Sequence, residues 1–161
     1  MLFRSDGEAL NMGHAEHMAH DARYDRADEF MEVVLGHWDA WDDGAILNDK
    51  INARYADPSK VKRLDHKGKF FQSRGPFTVP RSQQGHPVVI QAGASGRGQR
   101  FAGRWGEVIF AAGRNTPMAK EGYDAVKGEA VKLGRNPDDI FICNMLLTVR
   151  SEERRVGKEC A

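Results

Sequence analysis

The stretch from His86 to Gly98, HPVVIQAGASGRG, constrains the fold of this chain more than any other. A run of β-branched residues follows a proline and ends at a Gly-Ala-Ser-Gly turn, and residues 99–105 then show helical spacing up to Gly106. A short, continuously apolar run of this kind predicts a strand buried on both faces, as in a parallel sheet. Strand, turn and helix together place unpaired backbone N–H groups and the positive end of a helix dipole at one sheet edge. Such an edge favours an anion, most often a phosphate.

Ser95 in this turn allows two interpretations. Its hydroxyl can donate a hydrogen bond to a phosphate oxygen, and the small residues around it, Ala94 included, let a ligand approach the backbone. Ser95 can equally be an N-cap serine, with the glycines serving only to form the turn. The GASGRG sequence is neither the dinucleotide fingerprint nor a P-loop, since no Lys-Ser/Thr pair follows the glycines.

The rest of the chain predicts alternating helices and strands, with an N-cap at Thr116 and a proline, Pro117, at the first helical position after it. The expected elements are a helix over 22–41, a strand at 88–92, a helix over 96–105, a strand at 108–111, a helix over 117–133 and a strand at 140–148. This order implies an α/β fold with a parallel sheet, its first two strands adjacent. The sheet belongs either to an open doubly wound fold or to a (β/α)8 barrel. Three strands cannot close a barrel, so in the second case the chain is a slice of one.

Polar residues 6–21 have little periodicity and predict a loop. The loop contains His14, His17 and His20, but these do not form the HExxH zinc motif, and no nearby carboxylate or cysteine completes a metal site. We therefore expect no bound metal.

The first helix is expected to begin at Asp21, a plausible N-cap. His20 and Tyr24 are four residues apart, so both side chains could point from the helix start toward one ligand. The residues alone favour the plainer interpretation, in which Tyr24 is the first core residue of the helix.

Residues 42–85 form the least regular region. A short hairpin is expected within it, with a turn at 65–68 between 61–64 and 69–73. A stretch of this length without a long element is typical of a functional insertion or a lid.

Composition excludes several classes of function. The net charge is +1 with both signs interspersed, which favours neither nucleic acid nor an anionic membrane. No apolar run approaches a membrane span, and no signal peptide is visible. The two cysteines, Cys143 and Cys160, do not suggest a disulfide framework, so a reducing, cytoplasmic setting is expected.

The two ends of the chain are expected to be foreign. Residues 2–5 (LFRS) can be encoded by CTCTTCCGATCT, and the reverse complement AGATCGGAAGAG encodes residues 150–153 (RSEE). Mirror-image coding of this kind indicates a translated sequencing adaptor, as does the RRVGKEC that follows. We therefore assign residues 1–5 and 150–161 to non-native sequence that makes few contacts. Residues 6–149 are expected to be an internal piece of a longer protein.

Three blocks of the sequence resemble one family. They are LNMGHAEHMAHDARYDRADEFMEVVLGHWDAW, LDHKGKFFQSRGPFTVPR and QGHPVVIQAGASGRGQRFAGRWGEVIFAA. Their order and spacing resemble the nitrilotriacetate and dibenzothiophene-sulfone monooxygenase group of the bacterial-luciferase-like flavin enzymes. The resemblance covers nearly all of residues 6–149 and implies a partial (β/α)8 TIM barrel in which residues 42–85 are an insertion over the barrel mouth. It further implies reduced FMN supplied by a separate NAD(P)H:flavin reductase, O2 as co-substrate and a homo-oligomeric parent.

The resemblance also implies roles for individual residues. The family's FMN-phosphate contacts correspond to Tyr24, Ala94 and Ser95, and His20 corresponds to a residue at the flavin site. This correspondence favours a ligand contact at Tyr24 over a purely structural role. The first and last strands of the family barrel are not found in this sequence, so the chain by itself is expected to be inactive, and its catalytic residues are not assigned.

The implied reaction oxygenates a small organic substrate with O2 through a flavin C4a-(hydro)peroxide. The chemistry belongs to the cofactor, while the protein positions it and excludes water, for which the insertion is the candidate lid. Two alternatives remain open: a deazaflavin-dependent oxidoreductase of the same superfamily, and a non-catalytic flavin- or phosphate-binding module. The sequence does not identify the substrate.

Overall fold

The structure is a computed structural model that describes residues 6–145. The chain divides between Val88 and Val89 into two compact units. The expectations for residues 1–5 and 150–161 lie outside the described residues.

Two helices open the first unit. Helix α1 spans Asp6–Asn11 and helix α2 spans His20–Trp38. The prediction of a loop over 6–21 is therefore wrong at its start, where Asp6 and Glu8 stand in a helical first turn and Ala9 is buried. The prediction of Asp21 as the N-cap of α2 is also wrong, because the helix already begins at His20. The Asp21 carboxylate instead forms a hydrogen bond with the His20 ring.

Two short hairpins follow α2. Strands β1 (Ile46–Asp49) and β2 (Arg54–Ala56) pair antiparallel and were not expected from the sequence. Strands β3 (His66–Lys67) and β4 (Gln72–Ser73) form the expected second hairpin. Its turn lies at 68–71 and not at 65–68, because the N–H of Gly68 donates to the carbonyl of Phe71 at 2.9 Å.

The second unit alternates strands and helices as predicted. Strand β5 (Ile90–Ala92), helix α3 (Gly96–Trp105), strand β6 (Val108–Ala111), helix α4 (Thr116–Lys132) and strand β7 (Phe141–Asn144) follow in order. The strands form a parallel sheet in the order β5-β6-β7, so the predicted adjacency of the first two strands is confirmed. Asn115, not Thr116, is the N-cap of α4, because its side chain accepts the N–H of Met118 at 3.0 Å.

One face of this sheet packs against the two helices. The core between them consists of buried side chains from both helices, from β6 and from the residue before β7. These are Ala102, Ile109, Val126, Ala130 and Ile140, and the partly buried Ile142 packs against them. The opposite face carries Ile90, Phe110 and Phe141, which are 67%, 48% and 66% exposed. The expected burial of β5 on both faces is therefore wrong for this chain. The open face is the one that points into the lumen of a (β/α)8 barrel.

Gly103 sets the closeness of the two helices. A Cβ at this position would lie 2.8 Å from the backbone nitrogen of Ala130 and 2.9 Å from Cβ of Glu129. We expect Gly103→Ala to lower the free energy of unfolding by about 1–3 kcal/mol, because α4 must move away. Gly128→Ala is the matched control: nothing lies within 4 Å of its added Cβ, so the change should stabilise α4 by roughly 0.5–1 kcal/mol. Urea denaturation of both variants measures the difference, and equal effects would contradict the close helix contact.

Candidate flavin-binding residues

The turn before α3 has the geometry of a capped helix start. Ser95 is the N-cap, and its Oγ accepts the N–H of Gly98 at 3.1 Å. The capping interpretation of Ser95 is thus confirmed as a structural role. It does not exclude the other interpretation, since a hydroxyl can accept one hydrogen bond and donate another.

The surroundings of this helix start suit an anion. The first turn of α3 contains no acidic residue, and it contains one cationic residue, Arg97. A Cβ on Gly96 would meet no atom within 4 Å, so the space beside the first turn is open. Backbone N–H groups, a hydroxyl and the positive end of the dipole are the donors that a phosphate requires.

His20 and Tyr24 come together at the start of α2, as the spacing predicted. Their ring centroids are 5.2 Å apart in an edge-to-face arrangement, and Tyr24 is buried. The Nδ1 of His20 lies 2.7 Å from the Asp21 carboxylate. Because an ionised carboxylate only accepts, Nδ1 carries the proton and donates it, which orients the ring.

His17, another histidine of the N-terminal segment, contacts Arg23 of α2. Arg23 donates from one Nη to Nε2 of His17 and to the carbonyl of Met18, at 2.5 and 2.9 Å. His17 therefore ties the segment before α2 to the first turns of that helix. Among residues 6–145 there is no group of three or more side chains that could hold a metal ion.

Glu29, in the middle of α2, is a functional candidate that the sequence analysis missed. Its carboxylate accepts the N–H groups of Phe70 and Phe71 at 2.9 and 2.7 Å, and Nε2 of His66 lies 3.2 Å away. Partial removal from water raises the pKa of Glu29, but the hydrogen bonds from Phe70, His66 and Phe71 outweigh that effect, so its pKa lies below the ordinary value. The Glu29 carboxylate and its partners are about forty residues apart in the sequence, so no local sequence pattern predicts these contacts.

A cluster of charged and polar side chains lies just after the end of α2. Arg81 donates to Asp39 at 2.9 Å and to Asp43 at 2.7 Å, and Nε2 of His86 lies 2.7 Å from Asp39. The hydrogen bond and the charge of Arg81 lower the pKa of Asp43. The cluster borders a cleft of about 320 Å³ whose lining includes Trp41. The four side chains form one hydrogen-bonded network beside the cleft.

The chain belongs to the luciferase-like monooxygenase family, whose model matches residues 4–156. Its relatives include the dibenzothiophene-sulfone monooxygenase of Rhodococcus erythropolis, 45% identical over 155 residues that cover 96% of this chain and 34% of the relative. Nitrilotriacetate monooxygenase component A of Aminobacter aminovorans is 44% identical over 135 residues, covering 84% of this chain and 30% of that protein.

Solved structures support the same family and its barrel fold. A riboflavin lyase crystallised with a modified FMN and its substrate riboflavin superposes with a TM-score of 0.83 at 42% identity, covering 93% of this chain and 34% of that one. This chain therefore spans about a third of the length of the proteins it matches. None of the helices within residues 6–145 is both long and apolar enough to cross a membrane.

Proposed function

We propose that this chain is an internal part of a two-component, FMN-dependent monooxygenase that oxygenates a small organic substrate with O2. The observation that carries the proposal is the 45% identity to a named monooxygenase across nearly the whole chain. The name "component A" of the nitrilotriacetate relative supports a second component, which we assign as an NAD(P)H:flavin reductase supplying reduced FMN. The modified FMN of the riboflavin lyase structure supports the choice of flavin.

Four residues are proposed to hold the cofactor: His20, Tyr24, Ala94 and Ser95. The donors at the α3 start fit a phosphate, and the first turn of α3 carries no acidic side chain that would repel one. The ordered imidazole of His20 fits a polar contact to the flavin. That Tyr24 and Ser95 share one pocket remains a prediction, since they belong to different units of the structure.

Bound flavin supplies the oxygen chemistry when it is present. The residues of this chain bind its phosphate, orient it and keep water from the reacting atoms. Tyr24, Ser95 and the backbone at Ala94 hold the phosphate together with the N–H groups of α3, while His20 contacts the flavin. We assign no catalytic acid or base to the described residues.

We further propose that residues 6–149 are a partial barrel with an insertion at 42–85, and that 1–5 and 150–161 are translated adaptor. Within this proposal the parent protein is a cytoplasmic homo-oligomer and this chain alone is inactive. The flanking genomic sequence tests the assignment: native codons that continue the reading frame beyond Val149 without adaptor sequence support it. Genomic codons for RSEERRVGKEC at this point would contradict it.

Flavin titration of the full-length protein tests the proposed activity. Reduced FMN should bind, and O2 should then be consumed in proportion to the flavin oxidised. A preference for a deazaflavin, without oxygen consumption, would instead indicate the dehydrogenase alternative. Binding of FMN with no NADH-dependent oxygen consumption in the presence of a reductase would indicate a binding module.

A further inference from the structure

The hairpin of β3 and β4 rests on helix α2 with almost no space between them. Its turn, residues 68–71, surrounds the Glu29 carboxylate, whose side chain is 12% exposed. A Cβ on Gly68 would overlap Oε1 of Glu29, so the carboxylate would have to shift to admit any side chain at this position. The Phe71 ring adds an apolar contact to Phe30, with 6.0 Å between centroids, and lies 4.9 Å from the Arg26 guanidinium.

A second set of contacts fixes the chain after β4. His37, at the end of α2, is 3% exposed, and its Nε2 lies 2.6 Å from the Ser73 hydroxyl. Its ring stacks on Phe77 with 3.8 Å between centroids and 4° between planes. The indole of Trp41 donates to the carbonyl of Phe77 at 2.8 Å. The segment from 66 to 77, which we call the wall segment, is thus attached near both of its ends. Its first end is bound to α2, and its second end is bound to α2 and to Trp41, three residues after the helix.

The hairpin of β1 and β2 has a different environment. Ile51 at its tip is 95% exposed. At the tip the Asp49 carboxylate accepts the N–H groups of Ile51 and Asn52, both at 3.1 Å, and these contacts are local. Segments with few buried contacts open at low free energy, whereas segments bound by buried groups do not.

We infer that the wall segment is a fixed wall carried by α2, with Glu29 as its positioning residue, and that the β1–β2 hairpin opens more readily than the wall segment. The inference rests on the proposed function in one respect: α2 also carries His20 and Tyr24, so the wall is held at a set position relative to the flavin residues. With FMN bound beside His20 and Tyr24 as proposed, a fixed wall on the same helix would keep water from it without a closing step. Glu29 would thereby limit the side reaction in which reduced FMN (FMNH2) and O2 give oxidised FMN and H2O2.

Glu29→Gln in the full-length protein tests the inference, with Glu32→Gln as the matched change at an exposed position of the same helix. Hydrogen exchange at Phe70 and Phe71, measured without flavin, should be slow in the wild type and about tenfold faster in Glu29→Gln. Glu32→Gln should leave it unchanged. Exchange at Phe70 and Phe71 as fast as at Ile51 in the wild type would overturn the inference.

The second readout separates positioning from general stability. Protein loaded with reduced FMN is mixed with O2 in the absence of organic substrate, and the release of H2O2 from the bound flavin is timed. Glu29→Gln should release H2O2 about tenfold faster while its FMN dissociation constant stays the same. A merely structural effect would lower the amount of bound FMN and leave the release rate unchanged, which would contradict a positioning role. If no variant binds FMN, the proposed function fails, while the exchange data still decide whether the wall is fixed.

A double-mutant cycle tests the contact itself. Gly68→Ala should accelerate exchange at Phe71 in the wild type, because the added methyl group displaces the Glu29 carboxylate. In a Glu29→Ala background the same change should have little further effect. Additive effects of the two substitutions would show that Gly68 and Glu29 act independently and would overturn the assignment of Glu29 as the anchor.

Discussion

Ser95→Ala in the full-length protein should weaken FMN binding about ten- to hundredfold. The substitution removes a hydrogen bond between a hydroxyl and a charged phosphate, a contact worth roughly 1.5–3 kcal/mol. Turnover at saturating reduced FMN should fall much less than affinity, because the flavin ring and not the serine performs the chemistry. Titration of the variant with FMN, followed by oxygen consumption at saturation, measures both quantities.

Two further substitutions separate the phosphate contact from the helix cap. Ser95 also caps α3, and its replacement by alanine costs about 1 kcal/mol of stability through that role alone, whereas glycine costs only a few tenths. Ser95→Gly should therefore lose FMN affinity with little change in stability, and Ser95→Thr should retain both. Tyr24→Phe should weaken binding similarly while the packing of its ring is kept. Unchanged dissociation constants for Ser95→Ala and Tyr24→Phe would mean that the phosphate lies elsewhere.

Ile109→Ala should lower the free energy of unfolding by about 2–5 kcal/mol. Ile109 is 2% exposed and belongs to the core cluster formed with Ala102, Val126 and Ala130. Deleting its side chain removes the apolar contacts between the sheet and both helices and leaves a cavity that the backbone cannot close. Urea denaturation of the full-length protein gives the loss from the shift of the unfolding midpoint.

The matched control for Ile109→Ala is Val131→Ala, a deletion of an exposed apolar side chain on α4. That change should alter stability by no more than about 0.5 kcal/mol. An Ile109→Ala loss as small as that of Val131→Ala would contradict the packing of β6 against the helices.

The second unit was predictable from sequence because its boundaries are marked locally. The Gly-Ala-Ser-Gly turn ends β5, Gly106 ends α3, and the apolar runs between such signals are too short for anything but strands. The cap of α4 was misplaced by one residue, since Asn115 and Thr116 are both suitable N-caps and only the geometry decides between them.

The first unit was predicted less well because its structure depends on contacts distant in sequence. The turn of the second hairpin was placed at 65–68 from its Asp and Gly residues. It forms at 68–71, where the Glu29 carboxylate binds two backbone N–H groups of the loop. The unpredicted β1–β2 hairpin has no Asn-Gly or Asp-Gly turn, and Asn48 and Ala53 adopt positive φ values of 47° and 52°.

The candidate site could also be predicted only in part. The approach of His20 to Tyr24 follows from helical spacing alone and was expected. The role of Asp21 in orienting His20 was missed, because the sequence indicated a helix cap at that position. The two interpretations of Ser95 were posed as alternatives, yet a serine that caps a helix already points its oxygen to the place where that helix would bind an anion.

The sheet of the second unit, covered by helices on one face only, governs how the polypeptide behaves in a cell. Ile90, Phe110 and Phe141 form an exposed apolar surface on three adjacent strands. Chaperones recognise such surfaces, and concentrated copies of a chain that carries one adhere to each other and precipitate. We therefore expect the chain to aggregate when it is produced alone. We expect production together with the remaining strands of a barrel to cover this surface and to keep the chain in solution.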